Sequence, residues 1–330
     1  MVSITDISQE YVRMKSELNL QVPPAPSVTS LTGCFECGIK DRTAGFVSLI
    51  RPVFFILTPV NAAAAAVLAF GGFPSLSKCV AGFFSVAFAS CAVNVFNDFI
   101  DRERDKTIWP DRAIPSGRVR PGEALLAAVI AIVISLSLAW LVFNPATFFI
   151  LLLAVVLGGF YSVYLRDTVG YLSLPPIVGL IYLGGWAAFS PETLFTSPLP
   201  WYLYLLGVAW QTAHIMVYYP LHVIPGKHGE SGTGIPPVLF SRPSPRTAIK
   251  TGIVFIVLTL VMAALLPLLV SPAGYLYLFL VIASGTFALL VSVRFLGDMS
   301  NRRLALGAFT TLSLFRLVIS AAILLSVLIA

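Results

Sequence analysis

A succession of apolar runs, each near the length that crosses a bilayer, constrains this 330-residue chain more than any other feature. A spanning helix needs roughly 20 mainly apolar residues. Runs of that kind fall near 47–70, 77–97, 122–142, 146–165, 171–190, 201–221, 248–270, 274–295 and 304–328, which predicts nine transmembrane helices. Only 11% of the residues are charged, against about 25% in ordinary soluble domains. The mean hydropathy is +0.91. The fold class expected is therefore an all-α membrane protein, with a polar segment over 1–45 and a nine-helix domain over 46–330.

Loop charge predicts an orientation. Lys and Arg gather in the N-terminal segment and in the loops after the second, fourth, sixth and eighth runs. The other loops hold only Lys78. Cytoplasmic loops collect basic residues, so the N-terminus is expected in the cytoplasm and the C-terminus outside. The net charge of +6 follows from this asymmetry and suits anionic lipid headgroups; it does not argue for nucleic acid. No short apolar leader with a cleavage site precedes the first run. A short amphipathic surface helix is expected near 4–19, and the lone Cys34/Cys37 pair is a weak metal signal.

The second run ends in an acidic stretch, Asn97-Asp98-Phe99-Ile100-Asp101-Arg102-Glu103-Arg104-Asp105. On a helix, Asn97, Asp101 and Asp105 recur every four residues and share one face. Such oxygens suit Mg²⁺, which keeps waters and shares its coordination with substrate phosphates. Lys106, Arg112, Arg118 and Arg120 follow closely and can hold phosphate oxygens. Pro110, Pro115 and Gly117 predict a compact return after the acids. Together these residues point to an enzyme acting on a lipid diphosphate.

The pattern Asn97, Asp98, Asp101, Asp105 resembles the first aspartate-rich motif, N-D-x-x-D-x-x-x-D, of the UbiA superfamily of intramembrane prenyltransferases. Pro110 to Arg118 is similar to the P-x-R-P-I-P-S-G-R segment of that superfamily, with Ala113 in place of a proline. The flavour is that of digeranylgeranylglyceryl phosphate and chlorophyll synthases. Tyr161-Ser162-Val163-Tyr164-Leu165-Arg166 resembles a further Y-S-x-x-L-K element. The second aspartate-rich motif departs from the family: Val223 and Gly226 stand where aspartates are expected, leaving Glu230 as the carboxylate, with Lys227, His222 and His228 nearby.

The resemblance implies Mg²⁺-dependent transfer of a prenyl group from a prenyl diphosphate to a lipid-soluble acceptor, a glycerol-phosphate lipid or an aromatic ring. Asn97, Asp98, Asp101, Asp105 and Glu230 would hold metal; Asp101, Asp105, Arg112 and Glu230 would be catalytic. Asn94, Arg104, Lys106, Arg118, Tyr161, Arg166, Lys227 and His214 would contact substrate. Cytoplasmic cap loops would cover the site. A terpene cyclase of the same fold and a lipid-binding relative without catalysis stay open as alternatives. Gln211, His214 and Arg316 lie within spans, where ionisable groups default to functional hypotheses. Arg51 is read as an interface anchor, and Asp298, Arg302 and Arg303 as a loop able to close over the diphosphate.

Overall fold

The computed structural model describes residues 39–221, 243–270 and 274–329, and among them it is helical and without strands. The helices are α1 (Ile39–Ile50), α2 (Pro52–Phe70), α3 (Leu76–Ile108), α4 (Pro121–Leu138) and α5 (Pro145–Phe160). They continue as α6 (Leu174–Ala187), α7 (Leu199–Tyr218), α8 (Pro245–Leu265), α9 (Tyr275–Gly297) and α10 (Arg302–Ile329). Each of the expected apolar runs is matched by one of α2 to α10. The 4–19 segment, Cys34 and Cys37, and the whole 222–230 stretch with Lys227 and Glu230 lie outside the described residues.

Among the described residues seven helical stretches are long and apolar enough to cross a membrane, against nine expected runs. The other two are α6, only 14 residues long, and α7, which carries Gln211, Thr212 and His214. Both are interior helices. Most of α7 is buried, so its surface is set by packing against protein and need not be as apolar as a lipid-facing one. The outer helices show the opposite pattern: Leu126, Val129 and Val133 of α4 form an exposed apolar stripe at helical spacing. In water such a stripe is a liability; in lipid it is the expected surface.

Proline opens α2, α4, α5 and α8 at their first positions, where its missing N–H costs nothing. Sequential helices pack as neighbours, and α2 lies centrally against α3, α6 and α10. Its run of alanines, with Ala62, Ala64 and Ala65 buried, permits that crowding. The closest approach is at Gly185 of α6, where a Cβ would sit 2.2 Å from the Ala62 carbonyl oxygen. The main apolar core lies between α2 and α6–α10, and a smaller one joins α1, α3, α4 and the segment after α3.

The helix α3 departs most from expectation. It runs 33 residues, about 50 Å at 1.5 Å per residue, and does not stop at Asn97 where the apolar run ends. The hydrocarbon core is about 30 Å thick, so α3 overhangs it. Pairs at i,i+3 hold the polar extension helical: Asp101 with Arg104 at 2.8 Å and Glu103 with Lys106 at 2.7 Å.

Candidate functional site

The overhang of α3 carries the acidic motif on a solid helix. Asp98, Asp101 and Asp105 are three and four residues apart, share one face, and are all buried. Arginines from four places meet them. Arg112 Nη1, from the segment after α3, lies 2.6 Å from Asp105 Oδ2 and 3.3 Å from Asp98 Oδ1. Arg51 Nη2 lies 2.5 Å from the same Asp98 oxygen. Arg104 and Arg166 both reach Asp101 Oδ2, at 2.8 and 2.6 Å.

Arg51 joins the site through its backbone. It is the only non-glycine residue among those described with positive φ, at φ 51° and ψ 74°. That left-handed conformation is costly for an L side chain, and it separates α1 from α2. The guanidinium then spans 43 to 47 positions of sequence to Asn94 Oδ1, 3.4 Å away, and to Asp98. Reading Arg51 as a surface anchor missed this role. Its one sequence signal is Pro52, which starts a new helix and marks the break before it.

Arg166 arrives by a different device. Residues Tyr161–Leu165 form a π-helical turn at the end of α5, a widening that recurs at functional sites. There Ser162 accepts a hydrogen bond from Asn97 Nδ2 at 3.2 Å and donates to the Gly158 carbonyl. One turn on, Arg166 reaches Asp101 with both side chains under a tenth exposed. Tyr161 is buried within electrostatic reach of Arg166 and Asp101. The Y-S-x-x-L-R element is thus the strap that joins α5 to the acidic face.

The segment 109–120 is the compact return expected of it. Arg112 N–H donates to the Trp109 carbonyl, Gly117 to Ile114 and Val119 to Ala113, each at 3.0 Å. Gly117, at φ 76°, supplies the left-handed turn residue. Ala113, Ile114 and Val119 are buried in the smaller core against α1, α3 and α4. Arg118 is tied down within the segment, its Nε to Ser116 Oγ at 3.0 Å and its Nη2 to the Asp111 carbonyl. Between this return, α1 and α3 lies a cavity of about 350 Å³, lined by Arg51, Arg112, Arg118, Asp98, Trp109 and Ser48 among others.

Several expected site residues stand elsewhere. Lys106 pairs with Glu103 on the exposed side of α3, because one step past Asp105 is 100° around the helix. His214 is buried in the last third of α7, stacked 4.7 Å from the Trp210 ring and hydrogen-bonded to Ser313 at 3.2 Å. Gln211 is buried one turn before it. Asp298 caps the end of α9 and accepts from Ser300 Oγ at 2.7 Å, which with Asn301 holds its carboxyl below the usual range.

The expected metal ligands that lie among the described residues do not converge as one set. Among the described residues no three His, Cys, Asp or Glu side chains gather closely enough to hold a cation. Asp98 and Asp105 converge instead on a guanidinium, Arg112 Nη1, at 3.3 and 2.6 Å. Asn97 turns its amide to Ser162. The donor chemistry still fits Mg²⁺, which binds through one or two carboxylates plus substrate phosphates. The arginines engage a single oxygen of each aspartate, and Asp98 borders the cavity.

The profile of the UbiA prenyltransferase family matches residues 57–327. The chain belongs to the UbiA prenyltransferase family. It is a prenyltransferase of the membrane, as its sequence motifs implied. It is 27% identical over 279 residues to a protoheme IX farnesyltransferase of Paenarthrobacter aurescens, covering 80% of this chain and 83% of that one. It is 31% identical over 151 residues to a digeranylgeranylglyceryl phosphate synthase of Methanospirillum hungatei, covering 44% and 51%. The fold is that of a UbiA homolog from Aeropyrum pernix K1, with a TM-score of 0.63 at 16% identity over 83% of this chain and 97% of that one. A UbiA homolog from Archaeoglobus fulgidus bound to DMAPP and Mg²⁺ matches with a TM-score of 0.56 at 18% identity, over 84% and 98%.

Proposed function

We propose that this UbiA-family enzyme uses Mg²⁺ to move the prenyl group of a prenyl diphosphate onto a lipophilic acceptor. In this reading α2 to α10 all cross the membrane, residues 1–45 form a cytoplasmic segment, and the C-terminus is outside. The observation that carries it is the arginine-studded cavity beside the buried aspartates of α3.

Arg51 and Arg112 border that cavity, and their charge-assisted hydrogen bonds suit diphosphate oxygens. Asp98 and Asp105 hold those two guanidinium groups in place. Asp101 does the same for Arg104 and Arg166. When bound, Mg²⁺ would supply further charge neutralisation for the leaving diphosphate. The bond from the first prenyl carbon to oxygen breaks, and its electron pair leaves with the diphosphate. A new bond forms from that carbon to the acceptor, which gives up a proton. The return, anchored by Ala113, Ile114 and Val119 in the smaller core, would cover the site and limit water. Lys227 and Glu230 would complete the site from the 222–230 stretch.

The test is diphosphate release from radiolabelled geranylgeranyl diphosphate by purified protein, with and without a panel of acceptors. Acceptor-dependent release that EDTA abolishes and added Mg²⁺ restores is expected. Release that proceeds equally without any acceptor would instead identify a cyclase or hydrolase.

A further inference from the structure

Two carboxylates share one guanidinium nitrogen at the edge of the cavity. Arg112 Nη1 lies 2.6 Å from Asp105 Oδ2 and 3.3 Å from Asp98 Oδ1, and Arg51 Nη2 reaches the same Asp98 oxygen at 2.5 Å. The aspartates are the buried side of these pairs, with side chains 1% and 8% exposed. Arg112 and Arg51 are the accessible side, at 30% and 28%. The guanidinium groups can therefore turn to a ligand in the cavity, whereas the carboxylates stay behind them.

Arg112 is placed to turn. Its backbone N–H donates to the Trp109 carbonyl at 3.0 Å, which fixes the main chain, and its guanidinium lies 5.6 Å from the Trp109 ring. Trp109 itself lines the cavity, so the ring can accompany the charge whichever anion it meets. The pair at Asp101 differs. Arg166 and Asp101 are only 7% and 4% exposed, and neither lines the cavity, so that pair is a fixed brace.

A divalent cation arriving alone must expel a like-charged guanidinium from both aspartates. Parting a buried carboxylate from its guanidinium, with no new partner for the latter, is strongly unfavourable. Mg²⁺ also gives up its bound water reluctantly. A diphosphate arriving first reverses the balance. Its oxygens accept charge-assisted hydrogen bonds from Arg51 and Arg112, which gives both guanidinium groups a new partner. Oxygens of Asp98 and Asp105 are then uncovered beside the bound anion. We infer that Arg112 sets the order of binding: it keeps a free divalent cation off Asp98 and Asp105 until a diphosphate draws it away. The anion enters first and the metal second, and each tightens the other's binding. This order rests on the transferase reading above.

The test uses full-length protein in nanodiscs of zwitterionic lipid and takes the two ligands separately. Mn²⁺ alone is titrated and followed by the electron paramagnetic resonance signal of the free ion. Radiolabelled geranylgeranyl S-thiolodiphosphate, whose bridging sulfur resists cleavage, is bound in EDTA and again in Mg²⁺. The wild type should bind the analogue in EDTA and hold Mn²⁺ only weakly. Arg112→Gln should move the two affinities in opposite directions, Mn²⁺ alone at least about tenfold tighter and the analogue in EDTA at least about tenfold weaker. Arg112→Lys keeps a cation against the aspartates and should leave Mn²⁺ affinity within about threefold of wild type. Arg51→Gln leaves the Asp105 pair intact and should shift both affinities the same way by less; it carries the test if Arg112→Gln does not fold. A purely structural role would weaken both ligands together. That result, unchanged Mn²⁺ binding in Arg112→Gln, or a wild type that binds the analogue in Mg²⁺ but not in EDTA, would overturn the assignment. A wild type that binds no analogue under either condition would count against the transferase reading instead.

Discussion

Asp101 takes two guanidinium groups on one oxygen, Arg104 from its own helix and Arg166 from the end of α5. Asp101→Asn keeps the shape but leaves both arginines without their counter-charge. Removing one partner of a buried pair costs about 3–5 kcal/mol. Arg104 is 44% exposed, so solvent screens its share and most of the loss belongs to Arg166. We expect a melting temperature lower by several degrees and transfer reduced by at least about a hundredfold, measured by diphosphate release. Arg51→Gln should act differently. It removes one charged donor from the cavity and should raise the KM for prenyl diphosphate roughly ten- to hundredfold, the 1.5–3 kcal/mol typical of such a bond, with a smaller change in kcat. The aspartates were legible in the sequence because their spacing is local and periodic. The contributions of Arg51 and Arg166 were harder to read, since each pairs across 47 or 65 positions, which no window along the chain displays. Lys106 shows the converse: adjacency in sequence to Asp105 places it on another side of the helix, beside Glu103.

At the scale of the element, the apolar runs located α2 to α10 because hydropathy records what lipid demands of a helix. It said little of helix ends. The apolar run closing at Asn97 marks where α3 meets the headgroups, while the helix continues on ion pairs to Ile108. Among the described residues α6 and α7 fall short of the length-and-apolarity standard, since they answer to neighbouring helices. The contact of α6 with α2 gives a sharp test. Gly185→Ala places a Cβ against backbone, which cannot rotate away, and should destabilise by about 1–3 kcal/mol in thermal unfolding. Gly72→Ala, with open space around it, should stay within about 0.5 kcal/mol of wild type.

For the molecule as a whole, the proposed orientation predicts which loops share a side. In a background lacking Cys34, Cys37, Cys79 and Cys91, a cysteine at exposed Ser300 or Asp111 should react with an impermeant maleimide from the cytoplasmic face only. One at exposed Thr196 should react from the opposite face. Labelling of Ser300→Cys and Thr196→Cys from the same face would refute the topology. The overhang of α3 has one more effect. Its last dozen residues, about 18 Å, carry the charged chemistry beyond the hydrocarbon, while the acceptor and the prenyl chain belong to the oily phase. Bond cleavage there is also a partition between two solvents: the anionic fragment departs into water and the lengthened lipid stays in the bilayer. The products separate as they form, and the reverse reaction loses its reactants to different phases.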